Sequence, residues 1–170
     1  VTFSAFFIDG FAIASESIMG EAHGKRDRLA TDDIIRAAFI SGGLLAFVLS
    51  LAFFFLSPLI MRLLTSSPAV INEATQFSLW MVATPFVSFA AYIYDGLFIG
   101  ATKTEEMRTA MIVSLFVFLA AWWLTQSLEN HGLWLALMIY YVARAASLWV
   151  YQQRLYDFSD HDAKTTEQTL

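Results

Sequence analysis

Tyr92-Ile93-Tyr94-Asp95-Gly96-Leu97-Phe98-Ile99-Gly100 runs straight into Ala101-Thr102-Lys103-Thr104-Glu105-Glu106-Met107-Arg108. The first part ends an apolar stretch, roughly 77–100, long enough to cross a bilayer, since about 20 residues span ~30 Å of hydrocarbon. One carboxylate, Asp95, interrupts it. A charge at that depth costs roughly 2.5–3.5 kcal/mol on insertion scales, so it marks either a task or a partner. The residues alone leave two readings open. Asp95 is a coupling or gating group, or it is neutralised from another helix and holds a bundle together.

Four further apolar stretches surround this one, giving expected spans at about 2–20, 37–63, 77–100, 109–126 and 132–151. Hydrophobic residues make up 58 % of the chain and charged residues 15 %, where a soluble domain carries nearer a quarter charged. Mean hydropathy is +0.59. The runs lack the alternation of a barrel strand, so the fold class is all-α, a polytopic helical membrane protein with five transmembrane helices. Membrane lipid is therefore a partner. Nucleic acid is not, because the net charge is −5 and no dense basic patch occurs. The chain opens on Val1 and is apolar at once, without a basic segment before it, which reads as entry near the start of a helix.

The first span carries Asp9 and Glu16, seven residues apart and so on one helix face. Gly10, Ala14 and Ser17 allow close approach of a neighbour. Gly20 and Gly24 are expected to break this helix into a charged loop from Glu21 to Arg36, with His23 solvated in it. Ser67 and Pro68 form a helix start, and Pro85 is expected to kink the third span. Gly96 and Gly100 make a G-x-x-x-G step, which reads as packing. Trp122 and Trp123 suit an interfacial belt. Arg144 lies near the middle of the last span, and the tail, 156–170, is polar and expected to be disordered.

Basic residues set the orientation. Lys25, Arg26, Arg28, Arg36, Lys103, Arg108, Arg154 and Lys164 fall in loops one and three and the tail, against Arg62 alone on the opposite side. The first set is expected on the cytoplasmic face, with the C-terminus inside the cell's inner (plasma) membrane.

Arginine keeps its charge, so Arg144 requires an acid partner. At 1.5 Å per residue, Asp95 lies about 12 Å from Lys103, Glu16 about 13 Å from Lys25 and Arg144 about 15 Å from Arg154. Asp9 lies about 24 Å from Lys25 on the same rise. This predicts pairing of Arg144 with Glu16 or Asp95, and leaves Asp9 as the acid freer to titrate. Tyr92, one turn before Asp95, is placed to hydrogen-bond it.

No catalytic constellation occurs: H-E-x-x-H, G-x-S-x-G and phosphate-binding Gly-rich loops are absent. Tyr94-Asp95 lacks the companion G-x-G-D of intramembrane aspartyl proteases. There is no cysteine, and His23 has no second ligand at metal spacing, so no cofactor or metal is expected. Among the 16 phenylalanines, cation–π lining of a cavity for flat cations is open to some rings, with lipid contact or packing the commoner role for any one.

The run Asp9-Gly10-Phe11-Ala12-Ile13-Ala14-Ser15-Glu16-Ser17-Ile18-Met19-Gly20-Glu21-Ala22-His23-Gly24 resembles the eighth helix of MATE (multidrug and toxic compound extrusion) transporters of the DinF branch. Leu64-Thr65-Ser66-Ser67-Pro68-Ala69-Val70 is similar to that family's turn into the tenth helix. Tyr94-Asp95-Gly96 through Gly100-Ala101-Thr102-Lys103-Thr104 is similar to the end of it, and Arg144 to an arginine of the twelfth. The resemblance implies helices eight to twelve of a twelve-helix, two-lobed antiporter, most of its C-terminal six-helix lobe. It further implies export of organic, often cationic compounds in exchange for H⁺ or Na⁺, with the N-terminal lobe of the same polypeptide as partner. In the NorM-type branch the tenth-helix acid aligns near Ser88, so Asp95 does not inherit that acid's role. A flippase for lipid-linked substrates, or a membrane scaffold held by structural ion pairs, are the alternatives. Three internal acids against one arginine lean towards cationic cargo.

Overall fold

The computed structural model describes residues 2–158. Six α-helices follow one another: α1 (Thr2–Gly24), α2 (Arg28–Leu64), α3 (Pro68–Gln76), α4 (Ser78–Gly100), α5 (Thr104–Leu124) and α6 (Glu129–Val150). Short 3-10 turns, Gln126–Leu128 and Gln152–Tyr156, precede and follow α6. Among the described residues four helices, α2, α4, α5 and α6, are long and apolar enough to cross a membrane. α1 has the length, 23 residues, but carries Asp9 and Glu16.

α4 is the axis of the bundle. On one side it runs parallel to α1 in backbone contact. A Cβ built on Gly96 would lie 2.2 Å from the carbonyl oxygen of Ala12, and one on Gly100 would lie 2.3 Å from that of Glu16. The G-x-x-x-G step is therefore packing, and only glycine fits at this approach. On a second side α2 runs antiparallel to α4, with Gly42 against Ile93 and Phe39 edge-on to Tyr94 at 4.8 Å between centroids. On a third side α6 lies parallel to α4, and α5 returns antiparallel to α6 with Gly132 against Thr125. The apolar core gathers around the second half of α4, where Ile93, Leu97 and Phe98 are buried with Met19, Leu148 and Leu155. The outer faces of α2 and α5 present large side chains such as Phe47, Phe55, Phe116 and Trp123, as lipid contact requires.

Three expectations are corrected at the basic end. The loop after α1 is three residues, Lys25 to Asp27, rather than Glu21 to Arg36. Gly20 does not break α1, because it serves the contact with α4, a Cβ there lying 3.4 Å from the oxygen of Gly100. α2 starts early because Asp27 caps it, its carboxylate accepting from the Ala30 N–H at 3.0 Å. His23 consequently sits in the last turn of α1, buried, with its ring 4.9 Å from that of Phe158. The chain after α6 also holds its place further than expected. Tyr156 ends a 3-10 turn and donates to Asp32 on α2, while Leu155 is fully buried. Residues 159–170 of the expected tail lie outside the described residues.

At the opposite end Ser67 occupies the N-cap of α3 with Pro68 at its first position. The Ser67 side chain makes no capping bond, and Thr65 Oγ1 instead accepts from the Ser67 N–H at 3.2 Å. α3 and α4 are separate helices broken at Phe77, and Pro85 is buried inside α4. The turns holding Lys25, Arg26 and Lys103 thus share one end with the last residues of α6. Arg62 lies at the other, in the last turn of α2.

Candidate functional site

α4 and α6 are parallel, and one turn of each meets towards the basic end of the seam. Arg144 closes on Asp95 as a two-pronged fork: Nε donates to Oδ2 at 3.0 Å and Nη2 donates to Oδ1 at 2.9 Å. The arginine side chain is 6 % exposed and the aspartate 19 %. Nη1 donates to the Tyr140 hydroxyl, one turn earlier on α6, at 3.0 Å. Every nitrogen of the guanidinium is thereby engaged, the condition under which a charge tolerates burial. The pairing expected for Arg144 is present, and of its two candidate acids the structure selects Asp95.

Glu16 is not at this level. Because Gly100 sits over Glu16 and Gly96 over Ala12, Asp95 is level with the turn around Phe11. Counting depth from Lys25 and from Lys103 treated those residues as one boundary, whereas α1 continues two turns past the end of α4. Asp9, expected deeper, is the acid that adjoins Asp95, two or three residues along the axis, about 3–5 Å. It lies within electrostatic reach of both Asp95 and Tyr92. Among the described residues Asp9 makes no hydrogen bond or ion pair, and it is half-buried.

Tyr92 does not bond Asp95 as expected. Its hydroxyl engages Tyr141, with ring centroids 6.0 Å apart. Tyr140 and Tyr141 in turn sit edge-to-face at 5.4 Å. A cavity of about 230 Å³ opens among Ala91, Tyr92, Asp95, Met111, Tyr140, Tyr141 and Arg144. The sequence reading missed Tyr140, Tyr141 and Met111. The first of these was findable, since Tyr140 precedes Arg144 by four residues, one helical turn. Ser88 is buried on α4, seven residues before Asp95.

The site therefore holds two carboxylates, one guanidinium and three phenol rings inside a helical membrane bundle. One acid is neutralised and one is not. Among the described residues no group of three histidine, aspartate or glutamate side chains is arranged to hold a metal ion.

These features define a multi-pass helical membrane protein with an ion pair and a further acid in its interior, the equipment of a transporter. The family model described as MatE matches residues 1–125, and the chain belongs to that family, whose members are transporters rather than enzymes. DNA damage-inducible protein F of Escherichia coli (strain K12) is 38 % identical over 148 residues, which cover 87 % of this chain and 32 % of the relative. The chain thus spans about a third of the length of the curated relative it matches. No solved structure matches it.

Proposed function

We propose that this chain forms part of a secondary active exporter that moves organic, cationic or amphipathic compounds out of the cell in exchange for H⁺ or Na⁺. In this reading α1, α2, α4, α5 and α6 cross the inner membrane, with the end bearing Lys25, Arg26 and Lys103 cytoplasmic. The remainder of the same polypeptide and membrane lipid cover the outer faces. The observation that carries the reading is the inequality of the two acids. Asp95 is bound by Arg144, while Asp9 beside it has no ion-pair partner among the described residues. The fork from Arg144 occupies both oxygens of Asp95, whereas an acid without such a partner keeps its oxygens available to a proton or a cation. Asp9 is then the coupling group, and the Asp95–Arg144 pair holds α6 against α4 beside it.

A flippase for anionic headgroups is less well supported, because it needs an available cation in the cavity and the nitrogens of Arg144 are already bonded. The test is transport of a fluorescent organic cation by the full-length protein in proteoliposomes, under imposed H⁺ or Na⁺ gradients. Uptake against the driving gradient is expected with one of the two ions, and its loss in Asp9→Asn. Uptake by Asp9→Asn equal to that of the unaltered protein would remove Asp9 from the coupling step.

A further inference from the structure

At the end opposite the basic residues, α4 and α6 are joined by a second polar contact that the reading above does not use. Trp80 Nε1 donates to His131 Nδ1 at 2.9 Å. The ring of Phe77 lies 4.7 Å from the imidazole, inclined at 37°. An indole nitrogen can only donate, so the bond exists only while Nδ1 carries a lone pair, that is, while the imidazole is neutral and its proton is on the other nitrogen. Protonation places a hydrogen on Nδ1, facing the indole hydrogen, and converts the attraction into repulsion. Histidine is the side chain that makes this change between pH 5 and 8.

No other charged group in the neighbourhood takes over that role. Phe77 and Trp80 on α4 do not titrate in this range, and Gln126–Leu128 carries no charge. The remaining charged groups at this end are Glu129 on α6, Glu73 on α3 and Arg62 on α2. None of them makes a hydrogen bond or ion pair with His131 among the described residues. His131 itself is exposed, so protons reach it directly. The imidazolium keeps Phe77 as a partner, because the face of an aromatic ring attracts a cation. Protonation therefore shifts His131 off Trp80 and leaves it against the start of α4.

The seam at this level borders a mostly apolar cavity of about 430 Å³ between α2, α3, α4 and α6, lined in part by Met61, Ser78, Met81, Asn130 and Trp134. We infer that Trp80 and His131 form a pH-released clasp: acid at this end frees α6 from Trp80, leaving it only the ring of Phe77, and widens that cavity, while the Asp95–Arg144 pair holds the two helices together further along. That the acid comes from outside the cell rests on the orientation proposed above; the clasp itself does not.

The test uses the full-length protein in lipid nanodiscs, with no substrate and no gradient, so a failure of transport leaves it intact. The Trp80 indole N–H resonance, assigned by its loss in Trp80→Phe, is expected to move between pH 8 and pH 5 as the bond is lost. In His131→Asn, whose side-chain oxygen accepts in place of Nδ1 and does not protonate in this range, it is expected to stay fixed. A cysteine at Ser78 reports the opening. Its labelling by an impermeant thiol reagent at pH 5, relative to pH 8, is expected to be at least five-fold greater than in the His131→Asn background, which carries the same thiol ionisation. An indole resonance unchanged across that range, or equal labelling ratios in the two backgrounds, would overturn the clasp.

Discussion

The two parallel seams along α4 are built from opposite materials. Against α1 the contact is backbone on backbone, with Gly96 on Ala12 and Gly100 on Glu16 and no room for a methyl group. Against α6 it is a ladder of side-chain contacts: Trp80 with His131, Asp95 with Arg144, and Tyr94 donating to Gln152 at 2.8 Å. A glycine seam has one geometry and fails if shifted, since packed backbones cannot yield. A seam of long polar side chains keeps its bonds through small displacements and breaks them one at a time. The difference divides the bundle into a fixed unit, α1 with α2 and α4, and a hairpin, α5 with α6, held to it by separable contacts. Alternating access in transporters proceeds by movement of one packed unit against another around a fixed site. The exporter reading proposed above puts that movement at the α4–α6 seam.

The largest expected effect comes from spoiling the fixed seam. Gly96→Val places side-chain carbon into the Ala12 carbonyl, and the obstacle is backbone rather than a flexible side chain. Overpacking costs about 1–3 kcal/mol where neighbours can adjust, and the upper end or beyond is expected here. Gly10→Ala is the control, because a Cβ at Gly10 meets nothing within 4 Å. Thermal unfolding of the full-length protein in detergent should show a large drop for Gly96→Val and little change for Gly10→Ala. Equal melting of the two variants would mean that the α1–α4 seam is no more rigid than an ordinary helix contact.

The middle of the polar seam comes next. Asp95→Asn leaves Arg144 buried with only the Tyr140 bond and an amide, and breaking a buried pair by removing one partner costs about 3–5 kcal/mol in soluble proteins. A membrane bundle, whose unfolded state also finds partners, should lose less. Replacing both residues, Asp95→Leu with Arg144→Met, removes the stranded charge, and such exchanges are often neutral or stabilising. The double variant is therefore expected to recover most of the stability that Asp95→Asn loses. Its transport activity then separates the two readings of Asp95 left open by the sequence. Export by the stable double variant assigns the pair to architecture, and its absence assigns Asp95 a part in coupling beyond holding α6.

How far these seams were legible depended on whether the signal was local. Arg144 had to find an acid because a lone buried charge is costly, and counting depth along each helix narrowed the choice to Glu16 and Asp95. The glycine step at Gly96 and Gly100 announced close packing by its spacing alone. What could not be read was register between helices. Gly20 and Gly24 look like helix breakers, yet Gly20 faces Gly100, and only the position of α4 reveals that. From that misreading followed the loop begun too early and His23 placed in solvent, while Asp9 was given the wrong depth by counting from Lys25 and Lys103 as one boundary. The N-cap at Asp27 was a local signal that the loop ends before Arg28 rather than at Arg36. The clasp between Trp80 and His131 joins residues 51 positions apart and had no local signal at all.

The smallest expected effect lies at the basic end of the polar seam, where the residues after α6 cross to α2. The Tyr156 hydroxyl donates to Asp32 Oδ1, and the titration of the phenol is raised, first by burial and then by this bond to a carboxylate. Tyr156→Phe removes one hydrogen bond to a charged but exposed partner, so a loss at the lower end of about 0.5–1.5 kcal/mol is expected. The pH dependence gives the loss a signature. Because the folded state holds the phenol proton more tightly than the unfolded chain, the contribution is complete below the unfolded value near pH 10 and declines as pH rises through the folded value. The stability difference between the unaltered protein and Tyr156→Phe should therefore be level from pH 7 to 9 and shrink above about pH 10. Thermal unfolding in detergent across that range measures it. A difference that stays level through pH 10 to 11 would show that the phenol is held by packing alone. The side-chain hydrogen bonds of the residues after α6 would then end at Gln152, with α2 met by packing alone.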